Sequence, residues 1–173
     1  MRLISIVGLK NAGKTTLLVA LARELNRRGK RVATIKHATH PATVDLQGTD
    51  SWRHYHEGLA DAVMIASPDI RVLFERRPDD TDPETLARRY FADRDLVLVE
   101  GFKQFPIPKI EIYRRAVGPT PLVKSLPDTG HWVAVLTDTD LNGTPCPVLR
   151  FNDTMWLQLL AGLAWDHAKV IDP

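Results

Sequence analysis

Residues 8–15 read GLKNAGKT, and they match the pattern G-x-x-x-x-G-K-[ST] at every fixed position. The apolar run LISIV, residues 3–7, precedes them and has the composition of a fully buried β-strand. After them Leu17, Leu21 and Leu25 recur every four residues, which is the spacing of a helix with one apolar face. The chain is therefore predicted to begin with a strand, a glycine-rich turn and a helix.

This turn has the residues that a bound triphosphate requires. Gly8 and Gly13 lack Cβ atoms, so backbone N–H groups can turn inward onto phosphate oxygens. Lys14 is expected to reach the β- and γ-phosphates, and the Thr15 hydroxyl is expected to ligate Mg²⁺. Thr16 has two interpretations, a contact to the α-phosphate or an ordinary residue of the first helical turn.

A strand that ends in an acid supplies the second part of a nucleotide site. Residues 96–100 read LVLVE, an apolar strand that ends at Glu100. A carboxylate in this place is expected to hold Mg²⁺ directly or through water. Because aspartate is commoner there, Glu100 has the alternative role of activating water, and a surface glutamate at the sheet edge is a third interpretation. Lys14 and Glu100 are the predicted catalytic residues.

Strands and helices alternate in the first and last thirds of the chain, which predicts an α/β fold with a mostly parallel, doubly wound sheet and helices on both faces. The turn Ser67-Pro68-Asp69 indicates an antiparallel hairpin between strands 62–66 and 71–74. No linker divides the sequence, so residues 1–173 are predicted to form a single nucleotide-binding domain. The remaining strands are expected at 31–36, 109–113, 132–136 and 148–151.

Helix boundaries are predicted from capping residues and apolar spacing. Helices are expected over 16–28, over about 51–59 with Asp50 as its cap, and over 83–92 with Asp82 as its cap. Asp153 is expected to cap a last helix near the end of the chain. The proline-containing stretch from 119 to 129 is predicted to be loop.

Composition excludes several classes of protein. Lysine and arginine number 23 against 21 acidic residues, for a net charge of +2, so the balance indicates no nucleic-acid partner. No apolar run approaches about 18 residues, so no membrane span is expected. Cys146 is the single cysteine, which favours a reducing, cytoplasmic location without disulfides.

Polar residues crowd the segment after the second predicted strand, whose carboxyl end faces the phosphates in a doubly wound sheet. One interpretation is that Asp45 or Asp50 joins the Mg²⁺ or water network. A second is a transition-metal site, and a third is that these side chains are solvated or cap turns. The histidines of the second interpretation are His37, His40, His54 and His56.

Recognition of the base is poorly specified by the sequence. Residues 137–140 read TDTD, at the place where a GTPase normally carries Asn-Lys-x-Asp. Asp138 or Asp140 is placed to accept hydrogen bonds from N1 and N2 of guanine, and the alternative is an aspartate that forms a turn. These residues leave the choice between GTP and ATP open.

Five segments, taken in order over about residues 2–138, resemble the MobB family of small P-loop proteins in molybdopterin-guanine dinucleotide biosynthesis. The resemblance implies a fold of the P-loop NTPase type and a cytoplasmic homodimer that binds GTP and Mg²⁺ and hydrolyses GTP weakly. The partners it implies are molybdopterin guanylyltransferase and molybdopterin or its guanine dinucleotide. The segments are GLKNAGKTTL, TIKHATH, Asp45 with GTDSWRH, DLVLVEGFK and KIEIYR.

The same resemblance assigns site residues by motif. It places Mg²⁺ contacts on Thr15 and Glu100, and it puts Asp45, a further predicted metal ligand, in a DxxGxDS element with Asp50. The nucleotide contacts that it implies are Asn11, Ala12, Gly13, Lys14, Thr15 and Thr16, to which the TDTD segment adds Asp138.

Two other functions stay open. One is a P-loop kinase for a small molecule or nucleoside, and the other is an adapter that nucleotide locks without hydrolysis. A kinase usually carries an arginine-bearing lid. The candidates are Arg76-Arg77, Arg88-Arg89 and Arg114-Arg115, although each is more simply a solvated pair.

Overall fold

A computed structural model of the chain describes residues 1–38, 44–76, 82–127 and 131–172. The chain divides into two compact units, Met1–His37 with Asp82–Pro173, and Ala38–Thr81. The single domain expected over residues 1–173 stays a prediction.

In chain order the elements are β1 Arg2–Val7, α1 Lys14–Arg27, β2 Val32–Lys36, α2 Asp50–His56, β3 Ala62–Ala66, β4 Arg71–Glu75, α3 Pro83–Phe91, β5 Leu96–Glu100, β6 Lys109–Tyr113, α4 Leu122–Ser125, β7 Trp132–Thr137, β8 Val148–Arg150, α5 Trp156–His167 and β9 Lys169–Val170.

The first unit is built on one sheet with the strand order β2-β5-β1-β6-β7-β8. Those six strands pair in parallel, and β9 adds an antiparallel partner to β1. Apolar side chains are buried on both faces of the sheet, because α1 and α5 cover one face and α3 covers the other. The predicted mostly parallel sheet with flanking helices is confirmed.

The helix α1 shows why the first 28 residues fold together. Leu17, Leu21 and Leu25 are all buried and pack against Ile4 and Ile6 of β1 in one apolar cluster. Burying each leucine contributes about 2 kcal/mol relative to an exposed side chain. This packing fixes the turn between β1 and α1 at the edge where the parallel strands end.

The second unit contains the antiparallel pair β3–β4, which confirms the predicted hairpin. The Ser67 N–H donates to the Ile70 carbonyl at 2.9 Å and closes the turn between the strands. One face of the hairpin packs on α2 of the same unit, where the Tyr55 and Phe74 ring centroids are 6.2 Å apart. Met64 and Leu73 are opposite partners on the other face, and both are exposed.

Two predicted helix starts are wrong in detail. The first helix begins at Lys14, two residues before the expected start, because Gly13 has a left-handed conformation that ends the turn. The second is capped by Thr49 and not by Asp50, since the Thr49 hydroxyl accepts the Trp52 N–H at 3.3 Å. Asp82, in contrast, caps α3 as predicted.

The cap predicted for the last helix is also wrong. Met155 precedes α5 and makes no side-chain cap, whereas the Asp153 carboxylate accepts the Arg150 N–H at 2.7 Å. Asp153 therefore closes the turn after β8. The stretch expected to be loop contains the short helix α4, because the buried Glu111 carboxylate receives its first N–H groups.

Candidate functional site

The predicted phosphate-binding turn, residues 8–13, lies between β1 and α1 and needs glycine at its start. Gly8 has φ 154°, and a Cβ there would lie 2.4 Å from the Ile112 carbonyl oxygen of the neighbouring strand β6. Gly13, with φ 102°, brings the chain into α1. The positive end of this 14-residue helix then points at the turn.

Lys14 folds back over this turn. Its Nζ donates to the carbonyl oxygens of Gly8 at 3.1 Å and of Leu9 at 2.9 Å. Burial lowers the pKa of the Lys14 ammonium, Glu100 opposes that shift, and the charges of Lys36 and Lys103 add to it. Several cations and one carboxylate therefore share a small volume, which suits a polyanionic ligand.

Thr15 and Glu100 form a pair of oxygen ligands beside the turn. The Thr15 hydroxyl donates to the two carboxylate oxygens of Glu100 at 3.0 and 2.9 Å. Glu100 is the last residue of β5, the neighbour of β1, and is only 9% exposed. A hydroxyl and a carboxylate, with phosphate oxygens and water, form a ligand set typical of Mg²⁺, so these residues fit the predicted cation.

The structure gathers most of the predicted nucleotide contacts around one cavity of about 420 Å³. Two predicted contacts do not line this cavity: Asp138, which follows β7, and Ala12, whose side chain is fully buried in the apolar cluster below the turn. Its backbone still belongs to the turn. The cavity is lined by Lys10, Asn11, Gly13, Lys14, Thr15, Thr16 and Glu100.

Asp138 stands directly after β7 and is held by two neighbours. Its Oδ1 accepts the Arg115 N–H at 3.1 Å, and its Oδ2 lies 3.6 Å from Nη1 of Arg114. Arg114 also donates from Nε to the Ala12 carbonyl at 3.2 Å, so it contacts the phosphate-binding turn. From the sequence, Arg114 is a candidate lid residue or, more simply, a solvated arginine; its position directly after a predicted strand is the signal that points to this site.

Asp45 and Asp50 both lie in the second unit. Asp45 accepts the Thr49 hydroxyl at 3.0 Å, and Asp50 is the first residue of α2. The membership of Asp45 in a Mg²⁺ shell stays a prediction.

Two histidines of the alternative metal site, His37 and His56, make ring contacts with aromatic neighbours. The His37 ring lies 4.5 Å from the Phe102 ring, and the His56 ring stacks on Trp52 at 4.6 Å. His40 lies outside the described residues. Within residues 1–38, 44–76, 82–127 and 131–172, no three His, Cys, Asp or Glu side chains come together as a metal site.

Comparison with known protein families identifies this arrangement. Residues 3–138 match the family described as molybdopterin guanine dinucleotide synthesis protein B, MobB. The chain belongs to the MobB family. The resemblance inferred from the sequence is therefore confirmed.

Two relatives show how far the MobB similarity extends along the chain. A molybdopterin-guanine dinucleotide biosynthesis adapter protein of Haemophilus influenzae is 41% identical over 143 residues, which cover 80% of this chain and 76% of the relative. The protein of the same description from Escherichia coli is 37% identical over 143 residues, with 81% and 80% covered. Most of the length of each relative therefore aligns with this chain.

Solved MobB structures have the same fold. A crystal structure of molybdopterin-guanine biosynthesis protein B superposes with a TM-score of 0.72 at 28% identity, covering 95% of this chain and 97% of that one. A MobB homologue from Bacillus stearothermophilus superposes with a TM-score of 0.70 at 28% identity, with 95% and 98% covered. Within the part of the chain that the structure describes, no helix has the length and apolar character needed to span a bilayer.

Proposed function

We propose that this chain is a GTP-binding adapter with weak GTPase activity in molybdopterin-guanine dinucleotide biosynthesis. Relatives that carry the adapter description support the pathway. The pair of hydrogen bonds between Thr15 and Glu100, beside the folded-back Lys14, supports the nucleotide site. This pairing is the observation on which the proposal depends, since it joins the phosphate turn to the acidic strand end.

Each residue of the site has a role in this proposal. The turn from Asn11 to Thr16 would bind phosphate oxygens through its N–H groups, and Lys14 would leave its two carbonyl partners to reach the β- and γ-phosphates. Thr15 and Glu100 would hold Mg²⁺, which when bound neutralises charge on the phosphates. Asp138 would accept donors from the guanine edge.

Hydrolysis is expected to be slow in the isolated protein. Fast P-loop enzymes place a glutamine to orient water and an arginine to stabilise the transition state. Arg114 contacts Ala12 and Asp138 in the structure, and Lys14 contacts the turn itself. We therefore expect turnover below about 1 s⁻¹ without a partner, rising when a partner supplies the missing group.

Partners and location belong to the same proposal. An adapter acts on another protein, and we propose that this one serves a molybdopterin guanylyltransferase in the cytoplasm. The small molecule at that step would be molybdopterin or its guanine dinucleotide. We further propose that the chain acts as a homodimer and binds neither nucleic acid nor a membrane.

Calorimetric titration with GTP and Mg²⁺ tests the proposal directly. Lys14→Ala removes a charged donor to phosphate, so we expect its affinity for GTP to fall about 10- to 100-fold. Lys30→Ala is the matched control, because the Lys30 ammonium lies over the Trp165 ring and not at the phosphate turn. Equal affinities of wild type and Lys14→Ala would refute the proposed site.

A further inference from the structure

Three residues stand immediately after three neighbouring parallel strands of the first unit. Arg114 follows β6, Asp138 follows β7 and Phe151 follows β8. Parallel strands end on one edge of a sheet, and the turn after β1 lies on that same edge. The three side chains therefore meet beside the phosphate-binding turn.

The Arg114 guanidinium joins these segments through three contacts. Its Nε donates to the Ala12 carbonyl oxygen at 3.2 Å, and its Nη1 lies 3.6 Å from Oδ2 of Asp138. Its Cζ lies 4.1 Å from the centre of the Phe151 ring. One side chain thus connects the phosphate-binding turn to the segments that follow β7 and β8.

Asp138 is oriented by its neighbours and still has capacity to accept. Its Oδ1 receives the Arg115 N–H at 3.1 Å, while its Oδ2 faces Arg114. A carboxylate has about four lone-pair positions, so these contacts leave room for two further donors. The Asp138 side chain is 35% exposed and the Arg114 side chain 40% exposed, so both are accessible to a ligand.

Such a carboxylate distinguishes between the purine bases. Guanine presents N1–H and N2–H₂ as adjacent donors, whereas the corresponding edge of adenine has an acceptor at N1 and no amino group at C2. A site built to accept two hydrogen bonds rejects the base that cannot donate them. The Arg114 guanidinium, which packs with Phe151, is a flat group of the kind that stacks on nucleobases.

We infer that Arg114 positions Asp138 for guanine recognition and offers its guanidinium as a stacking surface for the base. In this chain, which has no Asn-Lys-x-Asp tetrapeptide, Asp138 would take the place of the aspartate that normally binds guanine. The inference rests on the proposed function, because a nucleotide must occupy the phosphate-binding turn. Since Arg114 also bonds the Ala12 carbonyl, one side chain holds the base acceptor in a fixed place relative to the phosphates.

Calorimetric titration of the full chain with GTP, ATP and inorganic tripolyphosphate, each with Mg²⁺, tests this role. We expect Arg114→Gln to lower the ratio of GTP affinity to ATP affinity roughly tenfold or more. Tripolyphosphate has no base, so its affinity is expected to change by less than about threefold. Arg115→Gln is the matched control, because that side chain bonds the Pro119 carbonyl and its backbone N–H to Asp138 remains.

A second variant tests the base acceptor without removing Arg114. In Asp138→Asn an amide N–H replaces one acceptor oxygen, and xanthine carries an oxygen where guanine carries its N2 amino group. We therefore expect Asp138→Asn to prefer xanthosine triphosphate to GTP, the reverse of the wild-type order. Failure of the order to reverse would overturn the inference.

Two results for Arg114→Gln would also overturn it. One is a GTP-to-ATP ratio in Arg114→Gln equal to that of wild type, and the other is a loss of tripolyphosphate affinity as large as the loss for GTP. If wild type binds tripolyphosphate but treats GTP and ATP alike, the inference fails while the proposed phosphate site stands. If wild type binds none of the three, the proposed function fails and the inference fails with it.

Discussion

The hydroxyl of Thr15 is the residue-scale feature on which the proposed Mg²⁺ site depends. It donates to both oxygens of a carboxylate that is almost fully buried at the end of β5. A buried carboxylate needs such partners, because burying a charge without compensation is costly. A cation bound between Thr15 and Glu100 would take the place of their hydrogen bond. It would find the hydroxyl oxygen and a carboxylate oxygen already adjacent as ligands.

Replacing the Thr15 hydroxyl should change how strongly GTP affinity depends on Mg²⁺. Thr15→Val keeps the shape of the side chain but removes one ligand, so the gain in GTP affinity on adding Mg²⁺ should fall about tenfold or more. Titration of GTP with Mg²⁺ and with EDTA measures that gain. Thr15→Ser, which keeps the hydroxyl, should behave as wild type; an unchanged gain in Thr15→Val would remove Thr15 from the metal shell.

At the residue scale, the turn between β1 and α1 was predictable from sequence, and long-range contacts were not. The roles expected of Lys14 and Thr15 follow from an eight-residue pattern, because adjacent residues fix the turn. Arg114 was missed because its contact with Ala12 joins residues 102 positions apart. Such a contact depends on the order of the strands, which a local pattern does not contain.

At the scale of elements, the buried Glu111 of β6 holds the start of α4. Its two carboxylate oxygens accept the N–H groups of Leu122 at 2.6 Å and Val123 at 2.8 Å. Burial raises the pKa of this carboxyl group, while the two N–H groups oppose that shift. A helix of only four residues has little stability of its own, so this contact fixes its position.

Removal of the Glu111 contact predicts a measurable loss of stability. Glu111→Gln leaves one acceptor oxygen and places an amide N–H against a backbone donor, so the free energy of unfolding should fall by about 1–3 kcal/mol. Urea denaturation measures the change. Glu57→Gln is the control, since its ion pair with Arg53 is largely exposed and contributes less than about 1 kcal/mol. A loss in Glu111→Gln no larger than the control's would contradict this account of α4.

The helix α1 carries a carboxylate that makes stability depend on pH. Hydrogen bonds from Arg27 and Arg28 lower the pKa of Glu24 from 4.5 to about 2. The unfolded chain therefore binds more protons than the folded chain between these values. The contribution of Glu24 is complete above about pH 4.5 and is lost as the pH falls toward 2.

Substitution of Glu24 should weaken the dependence of the unfolding free energy on pH in acid. Between pH 5 and 2.5 or so, the unfolding free energy of Glu24→Gln should fall less steeply than that of wild type. Denaturation at a series of pH values provides the measurement. Arg23→Gln, which removes a charge from α1 but keeps the Glu24 contacts, should retain the wild-type slope; equal slopes for Glu24→Gln and wild type would contradict the assignment.

The start of a helix was predictable where the capping residue lies in the same segment as the helix. Asp82 caps α3 because its carboxylate accepts N–H groups of the next turn, as the spacing predicts. Asp153 has the same signal but bonds Arg150 instead, in the turn that ends β8. The cap of α4 is Glu111, which lies in the strand β6, so the sequence around α4 shows no sign of it.

At the scale of the whole molecule, alternation of strands and helices predicted the class of sheet but not its order. Burial on both faces of β1 and β5 appears in the sequence as continuous apolar runs. The position of β9 was not predictable, because two residues that pair with β1 carry no pattern of their own. The division of the chain into two compact units was also not expected.

The proposed homodimer gives a prediction for the exposed face of the hairpin β3–β4. Met64 is 61% exposed and its cross-strand partner Leu73 is 42% exposed, and apolar surface of this kind is typical of a contact with another chain. We expect wild type to sediment as a dimer and the double variant Met64→Asp, Leu73→Asp as a monomer with unchanged circular dichroism. Leu159→Asp, at an equally exposed apolar site on α5, should remain dimeric. A double variant that sediments as a dimer would exclude this face from the interface, because two buried aspartates at its centre would be strongly destabilising.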